Sequence, residues 1–466
     1  MSSTEQGTTQ EPGGGTELNR VIGPKLLLLF VVGDILGTGI YALTGRIAGE
    51  VGGAAWAPFL AAFSVAMVTA LSYLELVTKY PRAAGAALYT HRAFGVHFLT
   101  FVVAFAVMSS GITSASTAAR AFAANLAEAF DLDLADGIGI TLVALAFIAL
   151  VAAVNFRGVG ESVKANVVLT CVELSGLLIV IMIGAWALGG GNGDWSRALS
   201  FDLAGDESVL GAVLAATAIA LFAMIGFEDA VNMAEETREP TRTFPRILIA
   251  GIALTGVIYL VVAVTSVALV PLDELGEGDT PLLKVVEAGA PDFPLGLFAV
   301  IAMFAVANTA LINMLMASRL LYGMARERVL PAVLGRVHPG RRTPWVAIGV
   351  TTLLALGLVT FVGELSELGG TTSLLLLLVF TVVNVAVLVL RRDPVEHDHF
   401  RTPTPVAVLG ALSCAFLASP LTPRATEQYV IAGVLLLIGV VLWGVTYATS
   451  PQLRRGEVDY DELTGA

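Results

Sequence analysis

The sequence predicts an all-α integral membrane protein, and two observations lead to that prediction. The chain of 466 residues is 56% apolar and only 14% charged, whereas soluble domains carry about 25% charged residues. Its mean hydropathy is +0.82. The apolar residues are also grouped into runs close to the roughly 17 to 25 residues that a helix needs to cross a bilayer. Counting these runs predicts twelve transmembrane helices.

Short connections separate the twelve runs. They lie at about 24–45, 54–78, 95–127, 137–156, 164–189, 208–234, 245–271, 293–325, 344–362, 370–390, 404–420 and 428–448. Residues 1–23 are polar and rich in Gly, Thr and Glu, which is typical of a disordered tail. Residues 449–466 form a second, acidic tail. The whole function is therefore expected in one transmembrane domain, 24–448, with no separate soluble domain.

Basic residues predict the orientation. When the N-terminus is placed in the cytoplasm, most of the 26 Lys and Arg fall in cytoplasmic connections, as the positive-inside rule requires. The opposite face carries acids, for example Asp273, Glu274 and Glu277. We therefore expect a multi-pass protein of the cytoplasmic membrane with both termini cytoplasmic.

The first apolar run is interrupted by Gly33–Ile40, with the sequence GDILGTGI. Glycine weakens a helix, and an aspartate at the centre of a membrane costs roughly 2.5 to 3.5 kcal/mol or more. Close helix packing would explain Gly33 and Gly37, but it does not explain Asp34 beside them. The composition indicates a break in the helix at a working site.

The sixth run has a matching interruption at Phe222–Asp229, where Gly226 is followed by two carboxylates. Segments one and six are five apart, so they enter the membrane from opposite sides. This spacing predicts two inverted repeats of five helices, 24–189 and 208–390, followed by helices 11 and 12 at 404–448. Broken helices at matching places in inverted repeats indicate the central site of a transporter.

The broken ends also indicate what is bound. Freed amides and a helix N-terminus hold a carboxylate, whereas freed carbonyls hold an ammonium group or a cation. Together they match the two ends of an α-amino acid.

Four stretches of this chain resemble the amino acid-polyamine-organocation (APC) permeases. They are VGDILGTGIYALTG from Val32, KYPRAAGAALYTHRAFG at 79–95, FAMIGFEDAVNMAEETREPTRTFPR at 222–246, and ANTALINMLMASRLLYGMARERVLP at 307–331. The resemblance implies twelve helices with a five-plus-five inverted repeat and secondary transport by alternating access.

The resemblance also implies a substrate site, whose residues match the family's motifs. The substrate carboxylate would meet the first-helix break at Thr38, Gly39 and Ile40. The α-amino group would meet carbonyls around Phe222, Ala223 and Ile225, with Phe222 as an aromatic gate or, alternatively, ordinary core. Asn313 matches a substrate-facing position of segment eight. The glycines expected at the two breaks are Gly33, Gly37, Gly39 and Gly226.

Three embedded acids are candidates for proton coupling. Asp34 replaces the small or amide residue that the family commonly has, so it would either pair with a cationic substrate or carry a proton. Glu173 stands where proton-coupled relatives often have a lysine, and a carboxyl group can also shuttle a proton. Glu228 resembles an acid retained in much of the family. Each also has a purely structural alternative, such as a hydrogen bond that organises the break. Glu75 lies near a helix end and is expected to pair with a cytoplasmic arginine or to cap a helix.

Other classes of function find little support. His397-Asp398-His399 lies in a connection without further ligands, so we expect no metal site, and Cys171 and Cys414 suggest no disulfide. We expect no enzyme activity, no cofactor and no nucleic-acid partner. The prediction is a proton-coupled permease for an amino acid or related amine, with a cationic one as the first to test. A sodium-coupled or exchange carrier and a non-transporting sensor remain alternatives.

Overall fold

A computed structural model describes residues 22–81, 85–132, 134, 138–157, 162–201, 208–234, 236–326, 329–341 and 343–449, with the backbone alone at 162–166. The predicted tails, 1–23 and 449–466, therefore lie almost entirely outside the described residues. The described part of the chain consists of helices and their connections and contains no β-strand.

The α-helices follow one another along the chain with few long connections. They are α1 (Pro24–Ile35), α2 (Thr38–Val51), α3 (Trp56–Lys79), α4 (Gly85–Phe94), α5 (His97–Ala129), α6 (Ile138–Arg157), α7 (Ser162–Gly189), α8 (Val209–Ala223), α9 (Phe227–Ala230), α10 (Pro240–Leu269), α11 (Leu272–Gly276), α12 (Pro281–Gly289), α13 (Leu295–Arg326), α14 (Trp345–Phe361), α15 (Leu365–Leu390), α16 (Thr404–Ala418) and α17 (Thr426–Thr449).

Each of the twelve apolar runs coincides with a helix, or with a pair of helices in the first and sixth runs. Within the described residues, ten helical stretches are long and apolar enough to cross a membrane, and α14 and α16 are shorter apolar helices. The protein is a multi-pass membrane protein. The short helices α4, α11 and α12 occupy segments that the sequence indicated only as connections. In α12 the proline at the first turn favours helix initiation, because its missing N–H is not needed there.

The outer surface of the bundle is apolar. On α17, Val430, Val434, Leu437 and Val441 recur at helical spacing and are 58%, 51%, 60% and 55% exposed. A continuous exposed apolar stripe is unfavourable in water. We therefore expect this stripe to contact the lipid chains of a membrane.

Polar side chains lie inside the bundle instead. On α5 the hydroxyls of Thr113, Ser116 and Thr117 donate to main-chain carbonyls of the preceding turn at 3.2, 2.8 and 2.9 Å. These bonds satisfy the hydroxyls within their own helix. These three residues can therefore lie inside the bundle without an unsatisfied hydroxyl donor.

A buried ion pair joins α3 to the end of α15. Arg391 contacts Glu75 through Nε to Oε1 at 3.0 Å and Nη2 to Oε2 at 2.9 Å. The Thr402 N–H also donates to Glu75 Oε2 at 2.8 Å, and the Glu75 side chain is only 3% exposed. The expectation that Glu75 pairs with an arginine is confirmed. The pair fixes the connection between α15 and α16 against α3.

Candidate functional site

Both predicted interruptions are present. Helix α1 ends at Ile35 and α2 begins at Thr38, so Leu36 and Gly37 separate the two halves of the first span. In the sixth span, α8 ends at Ala223 and α9 begins at Phe227.

The two interruptions contact each other through glycines. A Cβ atom at Gly226 would lie 2.6 Å from the carbonyl carbon of Asp34 and 2.9 Å from the Ile35 nitrogen. A Cβ atom at Gly39 would lie 2.5 Å from the Cα of Ala223. All three distances are too short for any side chain. The main chains of the broken helices therefore meet directly, and glycine is required for that contact.

The other two break glycines have different positions. Gly37 lies between α1 and α2, and a Cβ there would be 2.6 Å from Thr309 Oγ1 of α13. Gly33 lies within α1, where a Cβ would be 2.7 Å from Thr170 Cγ2 of α7. Gly39 likewise lies within the first turn of α2. The break is thus confined to Leu36 and Gly37, and Gly33 and Gly39 allow close packing of continuous helix.

A cavity of about 50 Å³ lies where the interruptions cross. Several of the predicted site residues line its wall: Asp34, Thr38, Gly39, Phe222, Ile225, Gly226, Glu228 and Asn313. Ile40 and Ala223 are not in the wall, and both are buried behind it. Asp229 also lines the cavity, so three residues with carboxyl groups line one space. The described lining includes no lysine, arginine or histidine.

Two polar atoms near the first break lack a protein partner. Asp34 Oδ2 and Thr38 Oγ1 are buried, and neither has a hydrogen-bond partner among the described residues. Buried polar groups are almost always hydrogen-bonded, so these atoms fit a site that a polar ligand or water fills. Glu228 differs, because its Oε2 accepts from the Gly226 N–H at 2.9 Å. That bond organises the second break.

Glu173 lies behind the first break. It is 0% exposed, and neither carboxyl oxygen has a partner within the described part of the chain. Its Oε1 would be 3.8 Å from a Cβ at Gly37, and the Tyr41 hydroxyl donates to its main-chain oxygen at 2.6 Å. Glu173 is not part of the cavity wall. The carboxyl group is therefore separated from the cavity by the thin main chain of the break.

Sequence reasoning missed the wall opposite the breaks. It is formed by α5, α13 and α15, which contribute Val107, Ser110, Gly111, Ser114, Thr309, Met316, Ala317, Leu320, Thr372 and Leu376. The helical spacing of Gly111 and Ser114 is a signal for one helix face with small side chains. It does not distinguish a cavity wall from a helix contact. Tyr259 of α10 was also missed, and its hydroxyl donates to the Ile35 carbonyl at 2.8 Å, at the end of α1.

Phe222 closes one side of the cavity. The residue is 6% exposed, and a Cβ at Gly369 of α15 would lie 3.5 Å from Phe222 Cδ1 and 3.1 Å from Leu43 Cδ1. The ring therefore packs against α15 next to α2. This position fits either a gate or a packed wall.

A membrane-spanning bundle that places two interrupted helices around a buried polar cavity defines the class of multi-pass solute transporters. The family model for amino acid permeases matches residues 22–445. The chain belongs to the amino acid permease family, which confirms the resemblance to the APC permeases.

Curated relatives agree with this membership. The chain is 27% identical over 401 residues to the methylthioribose transporter of Bacillus subtilis (strain 168), covering 83% of this chain and 84% of that protein. It is 26% identical over 451 residues to the branched-chain amino acid permease BcaP of the same organism, covering 92% and 93%. It is 29% identical over 342 residues to the chloroplastic cationic amino acid transporter 9 of Arabidopsis thaliana, covering 70% and 58%.

Proposed function

We propose that the protein is a secondary active transporter that moves a cationic amino acid or related amine across the cytoplasmic membrane by alternating access, coupled to protons. The observation that supports this most is the cavity at the crossing of the two broken helices, with Asp34 and Thr38 carrying unpartnered polar atoms. The relatives are transporters, so we propose no enzymatic step and no cofactor or metal.

The substrate carboxylate is assigned to the start of α2. The first amides of a helix have no partner within it, and a helix N-terminus favours negative charge. Thr38, Gly39 and Ile40 begin this helix of 14 residues. The Thr38 hydroxyl is a further donor, since it has no partner among the described residues.

The substrate ammonium group is assigned to the end of α8. The last carbonyls of a helix are free to accept. Phe222 and Ala223 are the last two residues of α8, and Ile225 lies in the interruption that follows. Asn313 already donates to the Thr309 carbonyl at 3.0 Å, which leaves its own carbonyl oxygen for the substrate.

Charge favours a substrate with an additional positive group. Asp34, Glu228 and Asp229 face a cavity whose described wall has no basic side chain. Burying unpaired carboxylates is costly, and a cationic substrate would pair with one of them. Asp34 is assigned to this role because its Oδ2 is buried without a partner among the described residues, whereas Glu228 Oε2 already accepts from the Gly226 N–H.

The topology follows from the same reasoning. We assign twelve spans by counting α14 and α16 as short spans, with repeats 24–189 and 208–390 and both termini cytoplasmic. The positive-inside distribution of the basic residues supports this orientation.

Transport is tested with the purified full-length protein in proteoliposomes. Radiolabelled arginine, lysine, leucine and putrescine are offered with an imposed pH gradient, with and without sodium. We expect a cationic substrate to accumulate when the outside is acidic and the accumulation to disappear when the gradient is collapsed. The proposal is overturned if the protein takes up no compound from a wider panel of amino acids and amines. If accumulation is lost in sodium-free buffer, the coupling ion is sodium and not the proton.

Asp34→Asn is expected to change which substrate is preferred. The amide keeps the shape of the side chain but cannot pair with a cation, and a hydrogen bond to a charged group contributes roughly 1.5 to 3 kcal/mol. We expect uptake of the cationic substrate to fall about tenfold or more while a neutral competitor inhibits as well as before. The measurement is competition between unlabelled arginine and leucine in the uptake assay.

Asp273→Asn is the matched control, because Asp273 is an exposed acid of α11 away from the cavity. If Asp34→Asn leaves substrate preference and the pH dependence of uptake unchanged, Asp34 has no part in recognition.

A further inference from the structure

One end of the bundle carries a surface whose described side chains include four exposed arginines. The segment Val329–Trp345 contains three arginines and a histidine and has no aspartate or glutamate. This is unusual in a chain whose net charge is −12. The basic surface comprises the exposed side chains of Arg157, Arg326, Arg336 and Arg341.

The segment is firmly packed against the ends of two long helices. Val329, Leu330 and Leu334 are 1%, 0% and 6% exposed, so they anchor it to the bundle. A Cβ at Gly335 would lie 3.5 Å from the main-chain nitrogen of Arg326, the last residue of α13. Arg336 therefore lies beside the end of α13.

The second half of the segment is fixed to the end of α6. The Arg341 guanidinium lies 4.8 Å from the centre of the Phe156 ring, and Thr343 Oγ1 donates to the Phe156 carbonyl at 3.2 Å. Arg157 follows Phe156 directly and is the last residue of α6. The four arginines thus belong to one ordered surface at the same end of the bundle.

The basic surface also carries exposed apolar side chains, which are typical of a membrane interface. Trp345 is the first residue of the apolar helix α14 and is 48% exposed, and tryptophan is enriched at bilayer interfaces. Val333 and Val337 are 46% and 41% exposed within the same segment. The surface combines a partly apolar base with fixed positive charge.

The connection between α15 and α16 provides a contrast. Residues 391–401 also contain three arginines, but Asp393, Glu396 and Asp398 balance them. In addition, Arg391 is already held by Glu75. An arginine content alone therefore does not produce a basic surface on this protein.

We propose that the basic surface of Arg157, Arg326, Arg336 and Arg341 binds the phosphate headgroups of anionic phospholipids in the surrounding bilayer. A guanidinium matches phosphate through two parallel hydrogen bonds. Basic clusters beside membrane spans attract anionic lipids. The connection between α15 and α16 is expected to attract such lipids less, because its acids balance its arginines.

The test compares phosphatidylglycerol with phosphatidylcholine, each titrated into the purified full-length protein in neutral detergent while thermal unfolding is followed. Phosphatidylglycerol is expected to raise the Tm more than phosphatidylcholine does. Arg336→Gln with Arg341→Gln is expected to weaken the apparent affinity for phosphatidylglycerol about 25-fold, which is roughly fivefold for each arginine. High salt should reduce the wild-type effect as well.

Two control variants separate this surface from general electrostatics and from packing. Arg392→Gln with Arg401→Gln removes the same charge from exposed positions outside the surface and should leave the phosphatidylglycerol effect intact. Arg336→Lys with Arg341→Lys keeps the charge and should retain most of the stabilisation by phosphatidylglycerol. The proposal is overturned if the two lipids raise the Tm of the wild type equally. It is also overturned if the Arg392→Gln, Arg401→Gln variant loses as much affinity for phosphatidylglycerol as the Arg336→Gln, Arg341→Gln variant does, or if the double lysine variant loses the effect. Should the double glutamine variant not fold, Arg336→Gln alone gives the same comparison with one charge.

Discussion

Gly226→Ala is expected to reduce substrate uptake at least tenfold. The Gly226 φ angle is +124°, a conformation that costs a residue with a side chain of order 1 to 3 kcal/mol. Its Cβ would also lie 2.6 Å from the Asp34 carbonyl carbon. The start of α9 must therefore move away from the end of α1, which separates the two halves of the proposed site. Substrate binding, followed by thermal shift, should fall with uptake.

Two further glycine variants divide this effect into its causes. Gly191→Ala is placed at φ +86° with nothing within 4 Å, so it has backbone strain without the contact. Gly39→Ala has the contact with Ala223, at 2.5 Å from its Cα, without a strained φ. We expect Gly39→Ala to lose binding and Gly191→Ala to keep it. Binding by Gly226→Ala equal to that of Gly191→Ala would show that the crossing of the broken helices does not form the substrate site.

Glu173→Gln is expected to abolish accumulation driven by a pH gradient while leaving exchange of substrate intact. Glutamine has the same shape but cannot gain or lose a proton. Glu173 is fully buried with both carboxyl oxygens unpartnered among the described residues. A charge there is costly without a cation beside it, so the carboxyl group is suited to carrying a proton across the change of state. The ratio of internal to external substrate should fall from well above one to about one.

The control for this experiment is Glu427→Gln, which neutralises an exposed acid at the start of α17. Counterflow, in which labelled substrate exchanges for unlabelled substrate without a gradient, reports whether the variant still folds and binds. Undiminished accumulation by Glu173→Gln would exclude Glu173 from coupling. Loss of both accumulation and counterflow would assign Glu173 a structural role beside Tyr41.

Local sequence was enough to predict the helices because each span is a continuous apolar run of sufficient length. It was also enough to predict both interruptions, since Gly226 and the acids beside it are unfavourable in an unbroken membrane helix. The short helices between the spans were harder to predict. Helix α12, which begins at Pro281, lies where the sequence indicated only a connection, because a helix of nine residues is too short to appear as a membrane-spanning apolar run.

The residues that meet in the site could be predicted only in part. Phe222 and Asn313, which the family motifs suggested, line one cavity together with Asp34, which departs from the family pattern. Ser110 and Thr372 also line it, without a signal in the sequence. Glu173 was recognised as an unusual acid, but its location behind the break at Gly37 depends on how α7 packs against α1 and α13. Composition does not determine the rotation of a helix about its axis when most of its faces are apolar.

The sequence by itself determined the class of this protein: a membrane permease with two interrupted helices and acids embedded beside them. Hydropathy, helix interruption and charge are properties of short segments, so they can be seen without the fold. Only the tertiary structure decided that Gly226 lies on the peptide between Asp34 and Ile35, that Glu173 is outside the cavity wall, and that Arg341 stacks on Phe156. These relations join residues far apart in the chain, and they arise because the helices must bury their polar and small side chains against one another.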